Sequence, residues 1–374
     1  MEINLGIQVL RALATIAVAA THFQIDFNRL VDAASALPPF MPVARGAFDF
    51  FFIISGFVLV YSSDSLFGTT SGPTTFFARR LIRLLPLYYL ATTLYVIMAF
   101  AIPGLGKSFT TETIIASYLF IPVPRPDGII QPVVGQGWTL NYEMFFYVLF
   151  AVSIFAPRRA AVALASLFIV IAVIIGRLFS LPTAWNYWCQ PILLEFIFGM
   201  TLGLAFMEGL RIPAWLGWIL VAAGLSILVF WPMDGDAYNT TRVMLLGAPA
   251  AMIAGGLTLG DLVKPGRPAR IMSIIGDASL SLYLFHSFPI RGVLHLWIWL
   301  GFNPAGAPWL LLVISILVGI AMSIAMYKYL EAPTTRALRR RFSVDSGKRA
   351  AAAAAVRTLR NEPLAGAEQL KQRL

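Results

Sequence analysis

Residues 5–23 read LGIQVLRALATIAVAATHF, a run long and apolar enough to cross a membrane as an α-helix. Two ionisable residues, Arg11 and His22, interrupt it. Because an α-helix turns by about 100° per residue, their side chains share one helix face and lie about 16 Å apart along its axis. A guanidinium on such a helix is unfavourable unless it faces a polar interior, so both residues are candidates for a functional site. Alternatively, Arg11 extends to the cytoplasmic interface and His22 lies in water at the other end.

The rest of the chain has the composition of a polytopic membrane protein. Of its 374 residues, 59% are hydrophobic and 12% are charged, whereas soluble domains carry about 25% charged residues. We therefore predict an all-α integral membrane protein. The net charge of +10 does not indicate nucleic-acid binding, because its placement follows membrane topology. The single cysteine, Cys189, excludes an internal disulfide and disfavours a cysteine-ligated metal site, so no metal is predicted.

Long apolar runs, separated by proline, glycine and charge clusters, predict a polytopic bundle of about ten transmembrane helices. Segment 113–121 is too short to cross the membrane, and we expect it to be interfacial or re-entrant. The predicted spans are 5–24, 44–62, 84–102, 138–156, 160–179, 189–207, 213–231, 241–260, 271–293 and 307–330.

Basic residues in the connections predict the orientation of this bundle. One set of connections and the tail hold Arg79, Arg80, Arg83, Arg158, Arg159, Arg211, Lys264, Arg267, Arg270, Arg336, Arg339, Arg340 and Arg341. The opposite loops hold Arg29, Arg45, Lys107, Arg125 and Arg242. The positive-inside rule then places both termini in the cytoplasm. We assign 1–335 to one transmembrane domain and 336–374 to a basic cytoplasmic tail, disordered or lying on the membrane surface, with a short helix at 350–360.

Four ionisable side chains fall in the predicted outer half of the membrane: His22, Asp49, Glu143 and His286. Two imidazoles and two carboxylates at one depth favour an acid–base site that opens outward. Ser279, Tyr283 and His286 stand at i, i+4 and i+7, which makes one polar stripe on the ninth span. Alternatively, each group satisfies a separate interhelical hydrogen bond. We assign that structural role to Glu195 in the sixth span.

Three arginines stand directly before the predicted third span. Arg79 and Arg83 are i, i+4 neighbours, a spacing that suits phosphates held by guanidinium groups. The alternative is a plain anchor on anionic lipid. The sequence contains no P-loop, dinucleotide fingerprint, His-Glu-x-x-His or Gly-x-Ser-x-Gly motif. Nucleotide hydrolysis, dinucleotide binding, zinc hydrolysis and α/β-hydrolase chemistry therefore lack support.

Six blocks, in this order, resemble the membrane-bound acyltransferase family 3, especially its branch that acetylates exopolysaccharide and O-antigen. Together they cover residues 1 to about 335, and their combination is far more specific than any one of them. The blocks are Arg11-x10-His22, Asp49-Phe-Phe-Phe-Ile-Ile-Ser55-Gly-Phe57, Arg79-Arg80-Leu-Ile-Arg83-Leu-Leu-Pro86, Trp138-Thr-Leu-Asn-Tyr-Glu143, Gly276-Asp-Ala-Ser279-Leu-Ser-Leu-Tyr283-Leu-Phe-His286 and Glu331-Ala-Pro333.

The sequence departs from the family pattern at two places. Gly46-Ala-Phe48-Asp49 stands where relatives usually have Gly-Val-Asp, so the packing around Asp49 is expected to differ. Leu280 follows Ser279 where an aromatic residue is common, which makes Ser279 and Tyr283 less secure matches than His286.

The resemblance implies transfer of an acyl group, usually acetyl, from cytoplasmic acetyl-CoA as co-substrate to a sugar hydroxyl. The acceptor would be an exopolysaccharide, lipopolysaccharide or lipid-linked oligosaccharide, and the protein would lie in lipid, in a bacterial inner membrane, with no nucleic-acid partner. The family blocks assign catalysis to His22 as general base with Arg11 and Glu143. They assign donor binding to Arg79, Arg80, Arg83 and Ser55, and the acceptor side to Asp49, Trp138, Tyr283 and His286.

Two other functions use similar residues. A proton-coupled transporter or flippase of a sugar-linked or anionic substrate also needs intramembrane His, Asp and Glu, and would use Arg11 as a gating charge. Such proteins often contain paired repeats, and no internal repeat stands out in this sequence. A membrane glycosyl- or phosphosugar transferase would use the same acidic residues on a lipid-linked sugar.

Overall fold

The computed structural model describes residues 4–38, 46–101, 109–230 and 240–342. These residues form α-helices, short 3-10 and π-helical stretches and connecting segments, with no β-strand among them, so the predicted all-α class is confirmed for this part of the chain. The predicted helix at 350–360 lies outside the described residues, whereas 336–341 of the predicted tail belong to the last helix. In chain order the helices are α1 (Leu5–Asn28), α2 (Ala47–Ser62), α3 (Gly72–Ala101), α4 (Thr111–Tyr118), α5 (Trp138–Ser153), α6 (Arg158–Leu178), α7 (Thr183–Trp188), α8 (Glu195–Met207), α9 (Ala214–Phe230), α10 (Thr240–Arg242), α11 (Ala248–Leu259), α12 (Arg267–Asp277), α13 (Ser279–Phe285), α14 (Ser287–Trp299), α15 (Pro308–Met326) and α16 (Ala332–Arg341).

Helix α1 lies at the centre of the bundle. It begins where the Asn4 side chain accepts a hydrogen bond from the Ile7 amide, at 3.3 Å, and it packs against α2 and against α11 to α15. Its approach to α12 is very close, since a Cβ at Gly276 would lie 2.4 Å from the Gln8 carbonyl oxygen. Side chains on several faces of α1 are therefore buried among other helices, and these include Arg11.

Helix α2 is held against α8 by a contact between glycines. A Cβ at Gly199 would lie 2.0 Å from the Ile53 carbonyl oxygen, and one at Gly56 would lie 2.4 Å from that of Phe196. In a membrane, helix association relies on close packing rather than on the hydrophobic effect, so small residues let the backbones approach. The contact fixes the position of α2, which carries the block from Asp49 to Phe57.

Five helical stretches are long and apolar enough to cross a membrane: Leu5–Asn28, Gly72–Ala101, Arg158–Leu178, Thr240–Leu259 and Pro308–Arg341. Shorter apolar helices match three further predicted spans, at Ala47–Ser62, Pro191–Met207 and Ala214–Phe230. The chain is thus a helical membrane protein, as its composition predicts. The number ten and the placement of both termini in the cytoplasm stay predictions.

The third and the ninth predicted spans differ most from the observed helices. The third was predicted to begin at residue 84, but α3 begins at Gly72, because the arginines before the apolar run are good helix formers and extend it. The ninth was predicted as one span, 271–293, but it is divided among α12, α13 and α14. Pro289 has no amide hydrogen to donate to the preceding turn, which favours a new helix start after His286.

Ion pairs join helix ends that the charge count places on the same side of the membrane. Arg158 at the start of α6 donates to Asp64 just after α2, at 2.7 Å, and Arg159 pairs with Glu208 at the end of α8. We therefore expect reporter fusions after Arg159 to report the cytoplasm and fusions after Arg125 to report the outside. The test uses two reporters, one that is active only in the cytoplasm and one that is active only outside it. The reverse pattern of reporter activity would overturn the predicted orientation of the bundle.

Candidate active site

His22 lines a cavity of about 680 Å³, which we call the histidine cavity. Its wall is built from α1, α3, α14 and the connecting segment that leads into α5. The cavity is rich in charge, and the lining residues that matter below are His22, Asp26, Arg29, Arg125, Trp138 and Arg291.

A second, smaller cavity of about 120 Å³ is called the arginine cavity here. Side chains from α1, α2, α3, α5 and α13 line it, so residues far apart in the sequence meet at this point. Most of the predicted donor-side and catalytic residues lie here, namely Arg11, Ser55, Arg80, Arg83 and Glu143. Tyr283, which was predicted on the acceptor side, lines the same cavity.

The two cavities lie on either side of the turn that begins α5. Gln136 and Trp138 line the histidine cavity, whereas Thr139 lines the arginine cavity. Tyr283 closes the wall between them, because its hydroxyl donates to the Gln136 carbonyl oxygen and is 2.6 Å from the Thr139 hydroxyl.

Backbone contacts define which nitrogen of each central histidine carries a proton. His22 Nδ1 lies 2.9 Å from the Val18 carbonyl oxygen, and His286 Nδ1 lies 3.1 Å from that of Leu282. A carbonyl oxygen only accepts hydrogen bonds, so each neutral imidazole carries its hydrogen on Nδ1. The Nε2 atom of His22 is thereby left with a free lone pair, as a general base requires.

His286 lies beside His22, with ring centroids 4.8 Å apart. Its side chain is buried, and its Nε2 atom has no hydrogen-bond partner in the part of the chain that the structure describes. Unlike His22, it lines neither of the two cavities. The predicted grouping of the two histidines is therefore observed, and His22 is the member that faces open space.

Arg11 is buried inside the bundle rather than extended to the cytoplasmic interface. It donates to Gln8 Oε1 at 3.1 Å and to the Ser279 hydroxyl at 2.8 Å, while Gln8 donates to Asp277 at 2.6 Å. These hydrogen bonds form one polar network around Arg11. It connects α1 to the divided segment α12–α13 and leaves Arg11 at the wall of the arginine cavity.

Glu143 lines the arginine cavity and not the histidine cavity, so the structure does not bring it together with His22. It is five residues into α5, about 7.5 Å from the helix start. There it lines the arginine cavity and accepts hydrogen bonds from the Ser55 hydroxyl, at 2.7 Å, and from Tyr147. Glu143 therefore lies beside Ser55, and a catalytic role for it in orienting His22 or the acceptor stays a prediction.

The three arginines of α3 divide between two environments. Arg80 and Arg83 line the arginine cavity, whereas Arg79 is not among its lining residues. Arg80 also donates to the Ser62 hydroxyl at the end of α2. The predicted pair for phosphate binding was Arg79 and Arg83, and the structure instead brings Arg80 and Arg83 to one cavity.

Asp49, predicted on the acceptor side, is fully buried and lines neither cavity. The Arg242 guanidinium donates to both carboxylate oxygens of Asp49, with Nη1–Oδ1 and Nη2–Oδ2 distances of 2.7 and 3.0 Å. Glu195 lies 3.4 Å from the same guanidinium. Arg242, which is expected in an outer loop from the charge pattern, instead ends α10 and is buried. Asp49 still adjoins the site through Phe48, whose ring packs 6.3 Å from that of His22.

Sequence reasoning missed two charged residues beside His22. Asp26 lies one turn further along α1 and accepts from Arg291 Nε at 2.9 Å and from Arg29 at 3.3 Å. The i, i+4 spacing of His22 and Asp26 was a usable signal, because it places both on one helix face. Arg291 was detectable too, as the only Lys or Arg within the predicted span 271–293.

Trp138, also predicted on the acceptor side, lines the histidine cavity and packs with its ring centroid 5.4 Å from that of Phe48.

The described residues contain no cluster of three or more His, Cys, Asp or Glu side chains that could hold a metal ion. This arrangement provides a group for acid–base chemistry beside the histidine cavity. It provides cations for ligand binding beside the arginine cavity.

Comparison with known proteins gives one family. A family described as "Acyltransferase domain" (Acyl_transf_3) matches residues 4–328. Exopolysaccharide production protein ExoZ of Rhizobium meliloti (strain 1021) is 33% identical over 311 residues, which are 82% of this chain and 94% of that protein. Acyltransferase MdmB of Streptomyces mycarofaciens is 25% identical over 316 residues, which are 75% of this chain and 78% of that protein. No solved structure matches the chain significantly.

Proposed function

The chain belongs to acyltransferase family 3, and on this premise we propose that it moves an acetyl group from cytoplasmic acetyl-CoA to a carbohydrate hydroxyl at the outer side of the membrane. The observation that carries the proposal is the pair of cavities that meet at one turn of α5. One is lined by arginines, and the other presents the free Nε2 lone pair of His22.

Arg80 and Arg83 bind the phosphates of the donor in this proposal, since guanidinium groups form charge-assisted hydrogen bonds to phosphate. The arginine cavity is far too narrow for the nucleotide, at about 120 Å³. It would admit the thioester end, which passes Ser55 and Glu143 and reaches the wall formed by Thr139 and Tyr283. Arg11 holds that wall in place through Ser279 on α13.

The acceptor occupies the histidine cavity, where Trp138 offers a flat apolar surface to a sugar ring. His22 Nε2 removes the proton of the acceptor hydroxyl, and the hydroxyl oxygen attacks the thioester carbonyl carbon. The carbon–sulfur bond then breaks, and the CoA thiolate leaves and takes up a proton. The products are the acetyl ester of the sugar and CoA.

The exopolysaccharide relative supports a polysaccharide acceptor, since ExoZ is described as an exopolysaccharide production protein. We propose the same acceptor class here: an exopolysaccharide, a lipopolysaccharide or their lipid-linked precursor. The bacterial inner membrane is the place where such acceptors and cytoplasmic acetyl-CoA meet.

Purified protein, incubated with radiolabelled acetyl-CoA, tests the function directly. We expect label to enter added carbohydrate and free CoA to appear only when acceptor is present. A proton-coupled transporter would move the carbohydrate without labelling it, and a glycosyltransferase would label nothing from this donor. Unlabelled carbohydrate across a panel of bacterial surface glycans would contradict the proposal.

Donor binding makes a second prediction. Replacing both Arg80 and Arg83 by Ala should weaken CoA binding by about 1.5–3 kcal/mol for each charge-assisted bond that is lost. The matched control is Arg159→Ala, an arginine on the same predicted side that is exposed and pairs with Glu208. Titration calorimetry with CoA measures the difference. Equal affinities of the double variant and the control would assign the arginines of α3 to lipid anchoring.

A further inference from the structure

We infer that the acceptor carries an anionic group, a carboxylate or a phosphate, and that Arg125, with Arg29 and Arg291, binds this group beside His22. The inference rests on the proposed function of the histidine cavity as the acceptor site, and it adds a charge to the acceptor class.

The charges that line the histidine cavity do not balance. Three arginines face one carboxylate among the described lining residues, and that carboxylate, Asp26, is already engaged. It accepts hydrogen bonds from Arg291 at 2.9 and 3.4 Å and from Arg29 at 3.3 Å. An occupant that brings negative charge would satisfy the excess of cations, whereas a neutral sugar would leave it unmet.

Arg125 gives the most specific signal. It is only 5% exposed, although it lines the cavity. One of its terminal nitrogens donates to Gln131 at 2.7 Å, but its Nε has no hydrogen-bond acceptor among the described residues. The nearest carboxylate oxygen, on Asp127, is 3.7 Å from Nε, and Asp127 already accepts from the Ile129 amide. Even with Asp127 included, three arginines face two carboxylates.

The segment that carries Arg125 is built to hold it. The Arg125 amide donates to Ile129 at 3.0 Å, and its carbonyl accepts from Gly128 at 2.8 Å. Further along the same segment, the Val133 amide donates a hydrogen bond to the Ser117 hydroxyl at 2.9 Å. A buried guanidinium on a fixed loop is an arrangement suited to anion recognition, because its donors are already oriented and little conformational entropy is lost on binding.

The position of the arginines sets the distance between the anionic group and the acylated hydroxyl. Asp26, which orients Arg291, lies one helical turn from His22, about 6 Å along α1. The anionic group should therefore lie on the sugar that is acylated or on its direct neighbour. Two sources fit this chemistry: an acidic sugar of the glycan, or the diphosphate that joins a glycan to its lipid carrier.

Binding measurements on the full chain in nanodiscs test the inference at low ionic strength. The first pair of probes is cellobiouronic acid and its neutral methyl ester. The second pair is farnesyl-diphosphate-linked cellobiose and farnesyl cellobioside, which carries the same lipid chain without the diphosphate. We expect at least one anionic probe to bind about 10-fold more tightly than its neutral partner, because a buried Arg–anion hydrogen bond is stronger than a neutral one. The pair that shows the preference identifies the source of the charge.

Variants connect the preference to the cavity. In Arg125→Gln the preference should fall to about twofold or less, since the charged donor is gone. The control Arg177→Gln removes an exposed arginine that does not line the cavity, and it should keep the full preference. Arg29→Gln, on a side chain that is 62% exposed and tolerant of change, should reduce the preference by about threefold and remains informative if Arg125→Gln fails to fold.

Equal binding of anionic and neutral probes by the wild-type protein would overturn the inference, as would an undiminished preference in both cavity variants. None of these measurements includes acetyl-CoA, so they are independent of catalysis. A protein that binds the acid but labels no carbohydrate would contradict the proposed function alone. A protein that acetylates neutral glycans as well as acidic ones would contradict the anionic acceptor alone.

Discussion

The His22→Ala protein should insert normally and bind CoA with unchanged affinity, yet acylate its acceptor about 10²–10⁴-fold more slowly than the wild type. The physical reason is the loss of the Nε2 lone pair, which the Nδ1 contact with Val18 leaves free in the histidine cavity. Initial rates of label transfer at saturating acetyl-CoA measure the effect, and CoA calorimetry on the same sample shows that the donor site is intact.

Two matched variants sharpen this prediction. His22→Asn keeps a donor near the position of Nδ1 but lacks the base, so it should be as slow as His22→Ala. His286→Ala should be much less impaired, because His286 lies beside His22 but lines neither cavity. If His22→Ala kept more than about a tenth of the wild-type rate, a smaller loss than removal of a general base causes, the catalytic assignment would move to His286.

Removal of Arg242 should be the most destabilising single change at a charged residue. Arg242→Ala would leave two buried carboxylates, Asp49 and Glu195, without their cation, and breaking a buried ion pair typically lowers stability by about 3–5 kcal/mol. Unfolding in mixed detergent micelles measures the loss. Arg159→Ala is the surface control: its partner is also a glutamate, but the arginine side chain is 79% exposed, so little change is expected.

A double variant tests whether the pair acts as a unit. Arg242→Met with Asp49→Asn removes one charge of each sign and keeps similar volumes, so it should recover a large part of the lost stability. Additive losses from the two substitutions would show that the contact between Arg242 and Asp49 contributes no coupling. A loss in Arg242→Ala no larger than that of Arg159→Ala would contradict the buried pair itself.

Local patterns in the sequence predicted much of the bundle. The helix from Leu5 to Asn28 followed from one apolar run, and the burial of Arg11 on it agrees with the unfavourable free energy of unpaired charge in lipid. The break near His286 was signalled by Pro289, yet the surrounding apolar residues favoured one continuous span. Continuity of hydrophobicity alone therefore overestimates the length of a helix near a polar site.

Contacts between distant segments could not be predicted in the same way. Asp49 needed a cation, but Arg242 is 193 residues away and stood at the edge of an apolar run, where it resembled a loop residue. The depth of Glu143 along its span likewise did not show which cavity its side chain faces. The two cavities are instead separated by the first turn of α5, so neighbours such as Trp138 and Thr139 face different spaces.

Transfer across a sealed membrane tests the central claim most directly. Proteoliposomes would enclose a soluble oligosaccharide that the detergent-solubilised protein acetylates, and would receive radiolabelled acetyl-CoA only from outside. Neither compound crosses the lipid, so label on the enclosed sugar requires that donor and acceptor are bound from opposite faces. We predict labelled sugar in the lumen with wild-type protein and none with His22→Ala. Label that appears only when acetyl-CoA and the sugar share one compartment would contradict the account.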